Sequence, residues 1–213
     1  MSRYLATISL AVLMLLIPAC ANPGANKEKA TVGNATQESS SPRPAEAETL
    51  TITPDNSKVE FVAAKVTRSH QGSFKKFSGT IDLVANHLEN SRVNMDIDAG
   101  SVSTDEPQLT DHLKTPDFFD VAKFPKATFA STKIEAKAGA ATHLITGNFE
   151  LHGIKKSISF PATIQLAADS LTVNAEFSIN RKDFGLVYPG KADDLIRDLV
   201  VIKLSLKTPR TKR

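Results

Sequence analysis

Residues 158–179, ISFPATIQLAADSLTVNAEFSI, place apolar side chains at every second position in two successive runs. The alternating positions are Ile158, Phe160, Ala162, Ile164 and Leu166, followed by Leu171, Val173, Ala175, Phe177 and Ile179. A period of two is typical of a β-strand with one buried face and one face in water. The short connection at residues 168–170 favours antiparallel pairing of these two strands.

The same alternation recurs along most of the chain, with Val59, Phe61 and Ala63 near its start and Val200, Ile202, Leu204 and Leu206 near its end. About eight antiparallel strands fit either a sandwich or a closed barrel. Closure is favoured because it removes exposed edges, and eight strands leave room inside for side chains or one slender ligand.

Two segments lack this period of two. Residues 105–120 are expected to hold a short helix, and residues 192–198 another helical turn.

Composition narrows the classes of function. The chain has 213 residues, of which 41% are hydrophobic and 23% charged, so a globular protein is expected. Its single cysteine, Cys20, excludes an internal disulfide, a zinc site built on cysteines and a Cys–Cys redox pair. A formal net charge of +3 is too small to predict nucleic-acid binding from charge alone.

The N-terminus predicts an exported protein. Arg3 precedes a nearly continuous apolar run over residues 4–17, which is too short to span a bilayer as a helix and fits a signal peptide. The run ends in Ile-Pro-Ala-Cys20, which resembles a bacterial lipobox, although Pro18 departs from the small residues usual there. We expect a signal peptide over residues 1–20, lipidation at Cys20, and a periplasmic location, anchored in the outer membrane because Ala21 rather than Asp follows. The alternative is an ordinary signal peptide cut near Ala21.

Residues 21–48 have a different composition, rich in Ala, Ser, Pro, Asn and Glu. Such a segment buries too little apolar surface to offset the entropy of ordering, so a disordered linker is expected. Its root-mean-square span would be about 30 Å, enough to lift a domain clear of a bilayer. Trypsin is then expected to cut early at Lys27 and Lys29. Residues 49–213 remain as one globular domain.

A series of short motifs resembles the YceI-like family of lipocalin-like periplasmic proteins. In chain order the motifs are HQGSF at 70–74, FSG at 77–79, IDAGSVST at 97–104, DHLK at 111–114, DFFDV at 117–121, FPKATF at 124–129, GNFELHG at 147–153 and NRKDFG at 180–185. The resemblance covers residues 50 to 208. It implies an all-β, eight-stranded antiparallel lipocalin-like barrel with one or two short helices around an apolar channel. The implied function is non-enzymatic binding, storage or transport of an isoprenoid quinone, a polyprenyl lipid or a similar amphiphile.

The apolar strand faces supply the predicted ligand site. The residues expected to line the channel are Phe61, Phe77, Ile81, Met95, Ile97, Phe149, Phe160 and Phe177, with Phe118 and Phe119 closing one end. Phe118 and Phe119 could serve as core residues or as part of a lid. His70 and Arg181 are the candidates for a polar mouth that binds a head group, and Arg181 could instead pair with Asp111 or Asp183. The expected partners are the lipid ligand and, through the anchor, a membrane. A homodimer stays open, and no cofactor besides the lipid, no metal and no nucleic acid are expected.

An enzyme or a redox partner using Asp111, His112 and Arg181 is the alternative. Asp111 and His112 are adjacent, and a carboxylate that orients an imidazole is a common catalytic pair. The sequence has no recognisable nucleophile elbow, phosphate loop or HExxH spacing. The carrier is therefore favoured.

Overall fold

A computed structural model of the protein describes residues 22–37 and 46–210. The predicted signal peptide, Cys20 and residues 38–45 of the predicted linker lie outside the described residues. The strands are β1 Thr31–Asn34, β2 Ala47–Ile52, β3 Lys58–Ala64, β4 Ser69–Phe74, β5 Phe77–Val84, β6 His87–Asp98 and β7 Val102–Thr104. They continue as β8 Lys126–Ala136, β9 His143–Leu151, β10 Ile154–Leu166, β11 Ser170–Asn180, β12 Gly190–Lys191, β13 Asp194–Leu195 and β14 Leu199–Pro209. The helix α1 is Pro107–Leu113, and two single 3₁₀ turns lie at Ala99–Ser101, directly after β6, and at Arg181–Phe184, directly after β11.

One antiparallel sheet of twelve strands dominates the described residues. Its order is β2-β5-β6-β8-β9-β10-β11-β14-β3-β4-β7, with β1 added beside β10, while β12 and β13 form a separate hairpin. The sheet curls until β2 contacts β14, which makes a half-barrel with an apolar inner face. The predicted all-β, antiparallel, barrel-like fold is confirmed. The strand number exceeds eight because short strands such as β4 and β7 extend the sheet beyond the long alternating runs.

The two predicted helical segments have different outcomes. The first is confirmed, because α1 begins at Pro107, where a missing N–H costs nothing and φ suits a helix. The second is wrong, because β12 and β13 form a hairpin over residues 190–195. Gly190 adopts φ +89°, and the Ile196 N–H donates to the Pro189 carbonyl at 2.9 Å. These local features close a turn instead of a helix.

The N-terminal segment corrects the expectation of a disordered linker over residues 21–48. Ala30 is buried, its N–H donates to the Ser178 carbonyl at 2.8 Å, and β1 pairs antiparallel with β10. The reason lies in the sheet, since β10 and β11 pair only between residues 163–166 and 171–174. Beyond that point the two strands separate, and residues 28–34 fill the gap between them.

The register divides the half-barrel into two ends. The turns that follow β5, β8 and β10 lie together at one end, named here the hairpin end. At the other end, α1 and residues 114–125 contact residues 181–198. The contact is seen between the Phe118 and Tyr188 rings, whose centroids are 5.3 Å apart. This is named the helix end. No helix within the described ranges is long and apolar enough to cross a bilayer.

Candidate functional site

A cavity of about 170 Å³ lies inside the curled sheet, and its wall is formed almost entirely by apolar side chains. Eight of the ten residues predicted for the channel line it: Phe61, Met95, Ile97, Phe118, Phe119, Phe149, Phe160 and Phe177. The volume is close to that of an engineered cavity that stays dry and binds benzene. The interior therefore offers a ready-made place for an apolar group.

Strand alternation explains how these side chains come together. On β11, Val173, Phe177 and Ile179 face inward, and on β6, Met95 and Ile97 do the same. Successive side chains of a strand point to opposite faces of a sheet. Curling turns the apolar faces of distant strands toward one another, so residues far apart in the sequence share one wall.

Phe77 and Ile81 are buried but are not part of the cavity wall, which corrects the predicted channel. Both lie on β5, where Ile81 is paired with Leu50 of β2. Because β2 packs against β14 at this side, the two walls of the half-barrel meet and side chains fill the space between them. Alternation identifies the inward face of β5 but not the depth of the interior at that point.

Other lining residues were not predicted. Leu113, Phe129, Ile145 and Ile158 also contribute to the wall. Phe129 belongs to the FPKATF motif and alternates with Ala127, so the period of two could have identified it. Leu113 ends α1, and no strand pattern could have placed it against the interior.

Ring packing sets the shape of the cavity. The Phe160 and Phe177 rings are stacked, with centroids 4.2 Å apart and planes at 13°. The Phe129 ring tilts against Phe160 at 5.7 Å. The Phe61 ring lies against Gly72, and the Phe129 ring lies against Gly147, where any Cβ atom would overlap the ring. The two glycines let large rings lie against the sheet instead of projecting into the cavity.

The helix end is closed by the segment that follows α1. Phe118 and Phe119 are 7% and 9% exposed, and both reach the cavity. The Phe119 N–H donates to the Leu113 carbonyl at 3.0 Å, which fixes the segment to the helix. His112 donates from Nε2 to Asp117 Oδ2 at 2.8 Å, and its ring stands edge-on to Phe118 at 5.0 Å. The segment is thus packed and hydrogen-bonded over the cavity.

Arg181 reaches the cavity wall, but its guanidinium group is already engaged. Nε donates to the Arg197 carbonyl at 3.1 Å and Nη2 to the Ile196 carbonyl at 3.3 Å, while Nη1 donates to the Leu186 carbonyl. Its acidic neighbour is Asp198, at 3.5 Å, which replaces the predicted Asp111 or Asp183. Burial lowers the pKa of Arg181 below its ordinary value, and the Asp198 carboxylate opposes that shift. Arg181 ties residues 186–198 to the end of β11.

His70 is buried on β4 but is not among the cavity-lining residues. Its Nδ1 donates to Asp105 Oδ1 at 2.9 Å, and its Nε2 lies 3.8 Å from Glu106 Oε2. Partial burial would raise the pKa of Asp105. Hydrogen bonds from His70 and from the Gln71 N–H outweigh that effect and lower it. The contacts of His70 join β4 to the segment before α1, and a head-group role is not supported by its position.

The alternative catalytic set is not assembled. His112 bonds to Asp117, Asp111 lies 3.6 Å from the ammonium group of Lys114, and Arg181 is held by backbone carbonyls. Each predicted member therefore has a different neighbour. Within residues 22–37 and 46–210, no three His, Cys, Asp or Glu side chains are placed to hold a metal ion.

Sequence comparison identifies the family to which this cavity-bearing domain belongs. The model of the YceI-like domain matches residues 50–208. The chain belongs to the YceI-like family. A "UPF0312 protein" of Pseudomonas fluorescens is 30% identical over 131 residues, which are 59% of this chain and 68% of the relative. One of Pseudomonas syringae pv. tomato is 33% identical over 125 residues, 56% of this chain and 65% of the relative. The match thus spans about two thirds of each relative.

Solved structures agree with this YceI-like fold. BcnA of Burkholderia cenocepacia is 26% identical, with a TM-score of 0.65 over 73% of this chain and 98% of its own. A polyisoprenoid-binding domain from Saccharophagus degradans, implicated in plant cell wall breakdown, is 19% identical. Its TM-score is 0.61 over 77% of this chain and 100% of its own. Both neighbours match the curled antiparallel sheet over about three quarters of this chain.

Proposed function

We propose that this YceI-like protein binds the apolar chain of an isoprenoid or a similar amphiphilic lipid and acts as a non-enzymatic carrier or store. The observation that carries the proposal is the apolar cavity of about 170 Å³ inside the half-barrel. Its wall offers aromatic and aliphatic side chains. Two charged residues, Glu60 and Arg181, also belong to the wall, and the guanidinium group of Arg181 is engaged by backbone carbonyls. The chemistry of this wall suits a hydrocarbon.

The energetics favour a ligand with extended apolar surface. Burying apolar surface contributes about 25 cal/mol per Å², so a chain that buries several hundred Å² needs few polar contacts. The ligand's polar head would then remain near an end of the half-barrel. The neighbour from Saccharophagus degradans is a polyisoprenoid-binding domain, and a polyisoprenoid is a chain of this kind.

We also propose a location in the cell envelope, at the periplasmic face of the outer membrane. The support is the apolar run of residues 4–17 followed by Ile-Pro-Ala-Cys20. Lipidation of Cys20 would hold the protein at the membrane from which a lipid ligand is drawn. Fractionation of the wild type as a soluble protein would contradict this location.

Organic extraction followed by mass spectrometry tests the binding function. The purified protein is expected to release an isoprenoid or related lipid in a stoichiometric amount. Ile97→Phe is expected to lower that amount several-fold, because Ile97 lines the cavity and the larger ring fills it while staying apolar.

Leu88→Phe is the matched control, since Leu88 is only partly buried at the hairpin end and is not part of the cavity wall. Thermal unfolding of both variants should show folded proteins. If a folded Ile97→Phe protein releases the same lipid in the same amount as the wild type, Ile97 does not contact the ligand. If the wild type yields no lipid and takes up no added prenol, the proposed function is wrong.

A further inference from the structure

The helix end carries an exposed apolar patch. Of the residues that the structure describes, the large apolar side chains left exposed are Val66, Val187 and Leu195, at 45%, 63% and 49%. They line one shallow surface pocket, and the Val66 N–H donates to the Leu195 carbonyl at 3.1 Å. These three residues are called the apolar patch. Exposed apolar residues that gather at one place mark an interaction surface, whereas single ones need no explanation.

The described chain begins at the same place. Asn22 lines the surface pocket together with the apolar patch, and Gly24 packs so closely on Leu199 that a Cβ atom would lie 2.7 Å from the Leu199 Cβ. Asn22 is two residues from Cys20, and two residues span at most about 7 Å. A lipid on Cys20 would therefore hold the apolar patch against the bilayer. The 30 Å spacer expected from composition does not exist between them.

The apolar patch also lies next to the cavity. Arg181 and Ile196 line both the surface pocket and the cavity, so they form the partition between the two. A lipid chain that leaves the interior past this partition would emerge at the patch and not into water. The location of the patch thus suits an exchange of lipid with a membrane.

Charged side chains surround the apolar patch, and three cations line its surface pocket, Arg181, Lys182 and Arg197, against the single acid Asp198. Lys65 Nζ lies 3.6 Å from Asp194 Oδ2, and Lys182 Nζ lies 2.9 Å from Asp198 Oδ1. The same Asp198 carboxylate is also the acidic neighbour of Arg181, so it does not neutralise both cations. The positive excess adds an attraction to anionic head groups that salt screens, whereas apolar insertion and the anchor do not depend on ionic strength.

We propose that the apolar patch at the helix end is a membrane-docking surface, which holds the lipid-anchored protein with its cavity partition toward the bilayer. This orientation rests on the proposed anchor at Cys20, and it does not depend on which lipid the cavity binds. The other occupant to be tested is a second copy of this chain.

Single tryptophans can report the orientation, because the chain contains no Trp. Leu195→Trp places the fluorophore in the apolar patch, and Ala138→Trp is the matched control at an exposed position of the hairpin end. The full lipidated protein is reconstituted into vesicles of phosphatidylethanolamine and phosphatidylglycerol. The Leu195→Trp emission is expected to shift to shorter wavelength and to be quenched several-fold by brominated phospholipid, whereas Ala138→Trp emission stays unchanged. High salt should leave most of the quenching in place, because apolar insertion and the anchor do not depend on ionic strength.

The outcomes separate the proposals. Vesicle-bound protein with equal quenching at both positions, or quenching lost in high salt, overturns the docking surface and leaves the anchor intact. Protein that does not associate with vesicles contradicts the anchor and the docking surface together. An emission shift of Leu195→Trp that depends on protein concentration without vesicles assigns the patch to a second copy and overturns the proposal. Protein stripped of its cavity lipid should show the same difference in quenching between Leu195→Trp and Ala138→Trp. A failure of the proposed lipid binding is therefore distinguishable from a failure of the docking surface.

Discussion

Gly72 shows how one residue without a side chain shapes the cavity. It lies on β4 opposite Phe61 of β3, and the Phe61 ring covers it. All three atoms nearest to a hypothetical Cβ belong to that ring, so the ring is what a methyl group would displace first. At Gly147, by contrast, the Ala130 carbonyl oxygen would lie 2.5 Å from the Cβ. A substitution at Gly72 therefore acts on the ring, and one at Gly147 also acts on the sheet.

We predict that Gly72→Ala lowers the free energy of unfolding by about 1–3 kcal/mol, the usual cost of overpacking. The displaced Phe61 ring would enter the cavity and reduce the amount of bound lipid. Phe61→Leu in the same chain should restore much of the loss, because a smaller side chain relieves the overlap; denaturant titration measures both effects. Gly33→Ala is the control, since no atom lies within 4 Å of its hypothetical Cβ. Equal costs at Gly72 and Gly33 would contradict the role assigned to the ring.

At this scale the sequence could predict which side of a strand is buried but not what each side chain meets. Phe61, Met95 and Ile97 follow the alternation and line the cavity, whereas Ile81 follows the same alternation and lies in solid packing. The difference comes from β2 resting on β14, a contact between strands that are distant in sequence. The partners of Arg181 could not be predicted for a similar reason. They are backbone carbonyls of residues 186–197, whose position depends on how that segment folds back onto the end of β11.

Among the elements, the N-terminal segment differs most from what its composition predicts. Its own apolar content is small, and β1 exists because β10 offers an unpaired edge. Lys27 also pairs with Glu176 at 3.1 Å. The stability of such an element is tertiary, and composition cannot reveal it. The long strands were predictable because their alternation is local, and the β12–β13 hairpin was missed because two residues per strand show no period.

Limited trypsin digestion tests the packing of this segment. We predict that the bonds after Lys27 and Lys29 resist trypsin about as well as the sheet does, because proteolysis requires local unfolding. Ala30→Asp should release the segment, since Ala30 is 2% exposed against the fully buried Ser178. Both bonds should then be cut early, while thermal unfolding shows that the rest of the sheet stays folded. Early cutting in the wild type would restore the linker expected from composition.

Across the whole molecule, the size of the interior and the length of the proposed ligand must be reconciled. About 170 Å³ is close to the volume that accommodates one benzene ring, which is far less than a chain of several isoprene units occupies. A long chain therefore requires side chains of the wall to move. The Phe160–Phe177 stack is the clearest obstacle, because both rings line the cavity and lie only 4.2 Å apart.

We predict that Phe160→Leu enlarges the interior and lets the protein bind a longer or larger lipid. Loss of the stack should cost about 1–2 kcal/mol of unfolding free energy, less than the 3–5 kcal/mol typical of Phe→Ala. Phe184→Leu is the matched control, since Phe184 is fully buried and packs on Phe149 at 5.1 Å but does not line the cavity. It should lose similar stability without a change in ligand. Mass spectrometry of extracted lipid and titration with prenols of increasing length measure the effect. If Phe160→Leu binds the same ligand with the same length preference as the wild type, the stack does not limit the length of the lipid chain. If Phe184→Leu changes the ligand equally, the effect belongs to a general loosening of the core.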